Sequence, residues 1–197
     1  PVLDALPLPA HPFCPSASPN VAGKQFLIGW TSHEVDSLLP KGPRFNVDLT
    51  RDAAVEMLNG FGIAHAVREF ATAAAENPSE PPHLLFARVL SAALFAEPGR
   101  RLARAAAKSA AAVFTYEFSE HSDAFGGLLG ACHSLDIAYF FGTGSRIPLV
   151  GETPGRRELS VRMSKTLTSF AAHGVPEDPA ADWASATNGS GASHRFT

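Results

Sequence analysis

Two short segments of the 197-residue chain each carry a side chain suited to acid–base chemistry. Residues 26–34 (Phe-Leu-Ile-Gly-Trp-Thr-Ser-His-Glu) run from an apolar stretch to Glu34, and residues 130–137 (Gly-Ala-Cys-His-Ser-Leu-Asp-Ile) carry His133. A carboxylate that orients a histidine forms two of the three parts of a hydrolytic triad. The third part, an activated serine or cysteine on a nucleophile turn, is not evident in the sequence.

Each side chain also has a simpler interpretation. His133 taken alone is more typical of an ordinary loop or capping histidine than of a general base. Glu34 could instead be a carboxylate at a helix N-terminus, where the helix dipole favours it. Asp36 and Asp136 are rival partners for the histidine. The local chemistry leaves these alternatives open.

The elements around the two segments predict an α/β fold. Strands are predicted over residues 26–30 and 112–118, the second with aromatic residues alternating along one face. Helical spacing recurs in four segments, which are residues 48–59, 83–97, 99–110 and 159–172. Since two strands form a poor independent sheet, we expect the chain to be part of a larger one.

The ends and breaks of these elements are also predicted. Pro98 and Gly99 are expected to stop one helix before the next begins. Residues 1–24 are expected to be extended over a surface, and residues 188–193 to form a flexible tail. The first residue is Pro, with neither Met nor a signal pattern, so we expect an upstream segment to be missing.

The composition bounds the class of protein. A chain that is 45% hydrophobic and 18% charged is typical of one globular domain with a core. A net charge of −3 without a charged block argues against nucleic acid or an anionic membrane as partner, and no apolar run is long enough to span a bilayer. The histidines lack metal-binding spacing, so no metal or cofactor is expected.

The two cysteines provide evidence on the cellular compartment of the protein. Cys14 and Cys132 are expected to be separate thiols, although one bridge between them is possible. A chain without a disulfide framework favours a cytoplasmic location over a secreted one, but a signal peptide on a missing upstream segment would reverse that preference.

The flanks of Glu34 and His133 resemble one family. Residues 26–34 resemble the Leu-Ile-Gly-Thr-x-x-Asp-Glu-Gly segment that carries the acid in type-B carboxylesterases, the cholinesterase-like branch of the α/β-hydrolases. Residues 130–142 resemble that family's Gly-Ala-x-His segment ending in Phe-Gly, and the two segments have a similar separation, 99 residues from acid to histidine. Residues 1–4, 113–118 and 159–176, with Trp183, extend the resemblance along the chain.

The sequence departs from the family pattern at a few positions. His33 and Val35 flank Glu34 where the family has Asp and Gly, and Ser134 follows the histidine where the family has Gly. The family's Gly-x-Ser-x-Gly nucleophile motif is missing. Residues 142–145 and 189–191 contain Gly and Ser but are interpreted as turns, because they lack a strand–Ser–helix context.

The resemblance implies that residues 1–197 are the C-terminal part of one carboxylesterase domain. His133 would then be the general base and Glu34 its acid, while the upstream half of the fold would contribute the serine that attacks a small-molecule ester. The chain alone would be inactive. Alternatives are a catalytically inactive esterase-like binding or adhesion module and a truncated, aggregation-prone remnant.

The resemblance also implies a substrate gorge lined by helical segments between residues 42 and 97. Its candidate contacts are four apolar side chains, for which core positions are the more typical interpretation. They are Phe61, Phe86, Leu90 and Phe95.

Overall fold

A parallel sheet lies at the centre of the chain. The structure is a computed structural model and describes residues 10–38, 48–152, 154–188 and 193–197. Within these residues the sheet has three strands in the order β1, β2, β3, which are Gln25–Thr31, Ala112–Phe118 and His194–Phe196. β2 is parallel to both neighbours, with Thr31 opposite Phe118 and Phe118 opposite Phe196. The first two strands confirm the prediction, whereas β3 was not predicted.

The described part of the chain contains seven α-helices besides the sheet. They are α1 (Glu34–Leu38), α2 (Arg51–Gly60), α3 (Ala64–Glu76), α4 (Pro82–Ser91), α5 (Glu97–Ala106), α6 (Leu135–Phe140) and α7 (Arg156–His173). The predicted helices over 48–59 and 159–172 correspond to α2 and α7. The hydroxyl of Thr50 caps α2 by accepting a hydrogen bond from the N–H of Ala53. Gly174, in a left-handed conformation, ends α7.

The predicted helix break at Pro98 and Gly99 is wrong. α4 continues through a π-helical turn, Ala92–Ala96, directly into α5, which contains both residues. A proline is accommodated here because the wider turn has already interrupted the regular hydrogen-bond ladder, and Pro98 lies in the first turn of α5. Gly99 allows close packing on β1, since a Cβ there would lie 2.9 Å from the Trp30 ring.

The two ends of the chain differ from expectation where they are described. Residues 10–24 form turns and a short 3-10 helix, Pro19–Val21, rather than an extended segment, because Val21 is buried in a cluster with the start of β2. Residues 1–9 lie outside the described residues, as do residues 189–192 of the predicted flexible tail. The strand β3 begins two residues after that gap.

Three apolar clusters hold the elements together. One joins α2, α3 and α4, and includes Val35 of α1. The second packs α6 and α7 against β2 and β3, with Met163 fully buried. The third packs α5 and residue Val21 against Val113 of β2. Helices therefore pack against β2 and β3, and α1, which follows β1, is held in the helical core.

A buried carboxylate joins β3 to α7. Asp178 accepts hydrogen bonds from Nε and Nη2 of Arg162 (3.1 and 2.8 Å), from the N–H of Ala180 (3.0 Å) and from Nε2 of His194 (2.8 Å). Burial alone would raise the pKa of Asp178, but these hydrogen bonds outweigh it and lower that pKa to about 2. The His194 ring also stacks on Trp183, with 4.3 Å between centroids. Asp178 thus fixes the last strand through polar contacts.

The substitution Asp178→Ala should therefore destabilise the fold. It leaves the buried His194 and the partly buried Arg162 without their acceptor, which costs about 2–4 kcal/mol of unfolding free energy. Urea denaturation measures this loss. The matched control, Asp182→Ala at an exposed position, should change the same quantity by less than about 0.5 kcal/mol. Equal effects of the two substitutions would contradict this role of Asp178.

Candidate active site

Glu34 lies just after β1, as the first residue of α1. Its side chain is only 7% exposed, and both carboxylate oxygens are hydrogen bonded. Oε1 accepts the N–H of Thr31 at 2.7 Å, and Oε2 lies 2.5 Å from Nδ1 of His133. Because a buried carboxylate needs such partners, these two contacts fix its orientation.

His133 lies on the loop that follows β2. Its side chain is 43% exposed, in contrast to the buried Glu34. The Phe95 ring, presented by the π-helical turn, lies beside the imidazole, with 6.3 Å between centroids. Since Glu34 accepts at Nδ1, the neutral imidazole carries its proton there and has a lone pair on Nε2. Nε2 has no hydrogen-bond partner among the described residues, so it is available to accept a proton.

The parallel pairing of β1 and β2 brings these two side chains together across 99 residues of sequence. The carboxyl ends of both strands lie at the same edge of the sheet. Beyond the strands, the N–H of Ser32 donates to the carbonyl of Phe118 at 2.9 Å, and that of His33 donates to the carbonyl of Ala131 at 3.0 Å. Working residues of open α/β sheets occur at this edge.

The two rival carboxylates have other surroundings. Asp136 is buried in α6 and accepts a hydrogen bond from the Tyr116 hydroxyl at 2.8 Å. Burial raises the pKa of Asp136, the Tyr116 hydrogen bond opposes that shift, and the nearby Glu34 charge adds to it. Asp36 is half-buried on α1, and its backbone N–H donates to the carbonyl of His33 at 3.1 Å. Of the three carboxylates, Glu34 is the one hydrogen bonded to His133.

The Tyr116–Asp136 contact was not predicted from sequence. Gly29 of β1 lies opposite Tyr116, and a Cβ at Gly29 would overlap the tyrosine ring at 2.0 Å. The ring therefore occupies the space that the glycine leaves, and its hydroxyl reaches the buried carboxylate behind the Glu34–His133 pair. A glycine inside an otherwise mostly apolar strand was the available signal.

The four candidate gorge residues separate into three environments. Phe86 and Leu90 are 2% and 0% exposed in the helical core, so these two side chains occupy core positions. Phe61 is 42% exposed at the end of α2, and Phe95 is half-buried beside His133. The ring of Phe95 lies 6.3 Å from that of His133, centroid to centroid. Residues 42–47 of the predicted gorge segment lie outside them.

Other groups with possible chemistry lie elsewhere. Ser145 is exposed on a 3-10 turn, Gly144–Arg146, which is not a strand–Ser–helix elbow, and residues 189–191 lie outside the described part. Cys14 is exposed and Cys132 is buried, and no disulfide joins these two described residues. In the described ranges, no cluster of three His, Cys, Asp or Glu side chains could hold a metal ion. None of the described helices is long and apolar enough to cross a membrane.

The departures from the family pattern have specific structural consequences. Val35 is buried in the helical core, and its N–H donates to the Ser91 hydroxyl at 3.1 Å, which holds α1 against α4. Ser134 adopts a left-handed conformation, with φ of +65°. A glycine occupies this conformation freely, so the serine costs roughly 1–2 kcal/mol. The loop accommodates this residue, but under backbone strain.

The fold and this arrangement define the class of protein. A parallel sheet with helices packed against it, and a carboxylate after one strand hydrogen bonded to a histidine after the next, match part of an α/β-hydrolase fold. Residues 1–195 match the sequence model of the carboxylesterase family. The chain belongs to the carboxylesterase family.

Solved structures support the same fold. The carboxylesterase EST55 of Geobacillus stearothermophilus has 24% identity and a TM-score of 0.68, with 87% of this chain and 36% of that chain covered. An esterase of Clostridium hathewayi described as hydrolysing aliphatic aromatic polyesters has 19% identity and a TM-score of 0.64, with 86% and 33% covered. A PNB esterase has 21% identity and a TM-score of 0.54, with 81% and 31% covered. The chain thus spans about a third of each of these structures.

Acidification should destabilise the fold through His33, the neighbour of Glu34. Burial lowers the pKa of His33 from 6.5 to about 3, and His121, Arg88 and His83 add to this shift. Between these values the unfolded chain binds more protons than the folded chain. The unfolding free energy therefore falls as the pH falls below 6.5, by up to about 1.4 kcal/mol per pH unit, and is unaffected by this group at higher pH.

Urea denaturation at about pH 7.5 and about pH 5.5 tests this expectation. The variant His33→Asn should lose that part of the pH dependence while keeping the part due to other histidines. If the difference in unfolding free energy between the two pH values is the same in the variant, His33 does not titrate as its burial requires. The Asp178 carboxyl does not contribute, because it titrates well below this range.

Proposed function

We propose that this chain is the C-terminal part of a serine carboxylesterase, in which His133 is the general base and Glu34 its orienting acid. The observation that carries the proposal is the pair itself. A buried carboxylate, held by the Thr31 N–H, binds Nδ1 of a half-exposed imidazole whose Nε2 is available. Membership of the carboxylesterase family supports an ester as the substrate.

The geometry is suited to proton transfer at Nε2. A serine hydroxyl near Nε2 would lose its proton to His133 while its oxygen attacks the ester carbonyl. The imidazolium would then deliver that proton to the leaving alcohol, and an acyl-enzyme would form. In the second half, His133 would take a proton from the water that attacks the acyl group, and the imidazolium would return it to the serine oxygen as the carboxylic acid leaves. Glu34 would remain ionised throughout and would stabilise the imidazolium.

The nucleophile and the oxyanion donors are proposed to come from an upstream half of the same fold. The sequence has no Gly-x-Ser-x-Gly motif, and the chain spans about a third of its structural neighbours. Among the described residues, β1 pairs on one side only, while Phe26, Leu27 and Ile28 remain partly exposed along it. A further strand beside β1 would cover them and complete the sheet.

Phe95 is proposed as a wall of the substrate site. It is half-buried, contacts the His133 ring, and is presented by a π-helical turn, a feature frequent at functional sites. An apolar ring beside the general base would suit a small ester with an apolar acyl or alcohol group. The other interpretation of the family, an inactive binding module, gives no reason for the Glu34–His133 pair to be retained.

The chain alone should hydrolyse a short aryl ester no faster than a blank reaction. Combined with its upstream half, it should become active, and a serine-directed organophosphate should abolish that activity. His133→Gln should then lower kcat by about 10⁴–10⁶-fold, since the base is removed. The control His65→Gln, at an exposed position on α3, should leave kcat unchanged.

Two results would contradict the proposal. Organophosphate-sensitive hydrolysis by the chain alone would place a nucleophile within these 197 residues. A combined protein that is folded and carries the upstream serine, yet hydrolyses no ester, would instead favour the inactive binding module.

A further inference from the structure

We infer that His33 is a positioning residue whose buried imidazole locks the loop of Glu34 against the loop of His133. This inference deepens the proposed function, because it concerns the same pair of side chains. It does not depend on observing ester hydrolysis, however, since the lock is a property of the chain itself.

The backbone of His33 already joins the two loops. Its N–H donates to the carbonyl of Ala131 at 3.0 Å, and His33 forms a parallel bridge with Cys132. Glu34 is the next residue on one loop, and His133 is the next residue on the other. A shift at this bridge would therefore move the carboxylate relative to the imidazole that it orients.

The side chain of His33 adds a second connection between the loops. Its Nδ1 accepts the Ser32 hydroxyl at 2.8 Å and, over a longer 3.4 Å, the N–H of Ala131. The residue is 1% exposed, and its ring lies against Gly130, where a Cβ would come within 2.8 Å of Cγ. The ring of His121 packs on it edge to face, with 4.7 Å between centroids. The imidazole is thus enclosed between the two loops.

The neutral form of the imidazole is the one that can act as this lock. A protonated ring would carry hydrogen on both nitrogens and could accept from neither the Ser32 hydroxyl nor the Ala131 N–H. Burial keeps the pKa of His33 near 3, so the acceptor on Nδ1 is present at neutral pH. In the family pattern an aspartate occupies this position, and the histidine supplies an acceptor without a second negative charge beside Glu34.

NMR of the histidine-labelled chain tests the inference without an activity assay. The wild-type chain should show the Nδ1–H tautomer of His133, with slow solvent exchange of that proton, and His133→Gln assigns the signal. In His33→Leu, which has no acceptor, the exchange should accelerate about fivefold or more and the tautomers should mix. In His33→Asn, whose Oδ1 can replace Nδ1, slow exchange should return.

A stability control separates this role from a general loss of structure. Val113→Ala, at a buried position on β2 away from the site, should destabilise the chain but leave the His133 tautomer and exchange unchanged. If His33→Leu does not fold, Ser32→Ala, which removes the hydroxyl donor to Nδ1, should accelerate exchange about twofold or more.

The outcomes distinguish this inference from the proposed function. A folded His33→Leu chain, or failing that a Ser32→Ala chain, with the wild-type tautomer and exchange rate would overturn the positioning role alone. A wild-type chain without the Nδ1–H tautomer would contradict the Glu34–His133 pair, and with it both conclusions.

Discussion

The parallel pairing of β1 with β2 is the constraint on which the site depends. The last pair of the ladder, Thr31 with Phe118, sets both following loops at one edge of the sheet, and two backbone hydrogen bonds extend the contact into the loops. Glu34 and His133 lie together because the backbone pairing fixes the positions of both loops. A slip of register by one residue would reverse the side-chain directions of a strand and separate the pair.

Behind this edge, buried polar groups are hydrogen bonded to neighbouring groups. Glu34 has the Thr31 N–H and the His133 imidazole, while Asp136 has the Tyr116 hydroxyl, which fits because Gly29 leaves room for the ring. Buried carboxylates cost several kcal/mol without such partners. Each contact therefore stabilises the local fold and fixes the orientation of the side chains that make it.

The sequence predicted the features that depend on local pattern. Alternation identified β2, an apolar run identified β1, and the flanking motifs favoured Glu34 over Asp36 and Asp136 as the partner of His133. The break at Pro98 was wrong, because a π-helical turn accommodates a proline that local rules exclude from a helix. β3 is only three residues long and is held by the buried Asp178 network, so no periodicity indicates it. The contacts of His33 are likewise made by tertiary structure. In the sequence, His33 is visible only as a departure from the family pattern.

The central claim is that Glu34 and His133 act as one unit, and a double-mutant cycle on kcat/KM tests it most directly. The measurement uses the chain combined with its upstream half, with Glu34→Gln, His133→Gln and the double variant. If the carboxylate acts only through the imidazole, the double variant should be no slower than His133→Gln. Independent effects that multiply in the double variant would contradict the account.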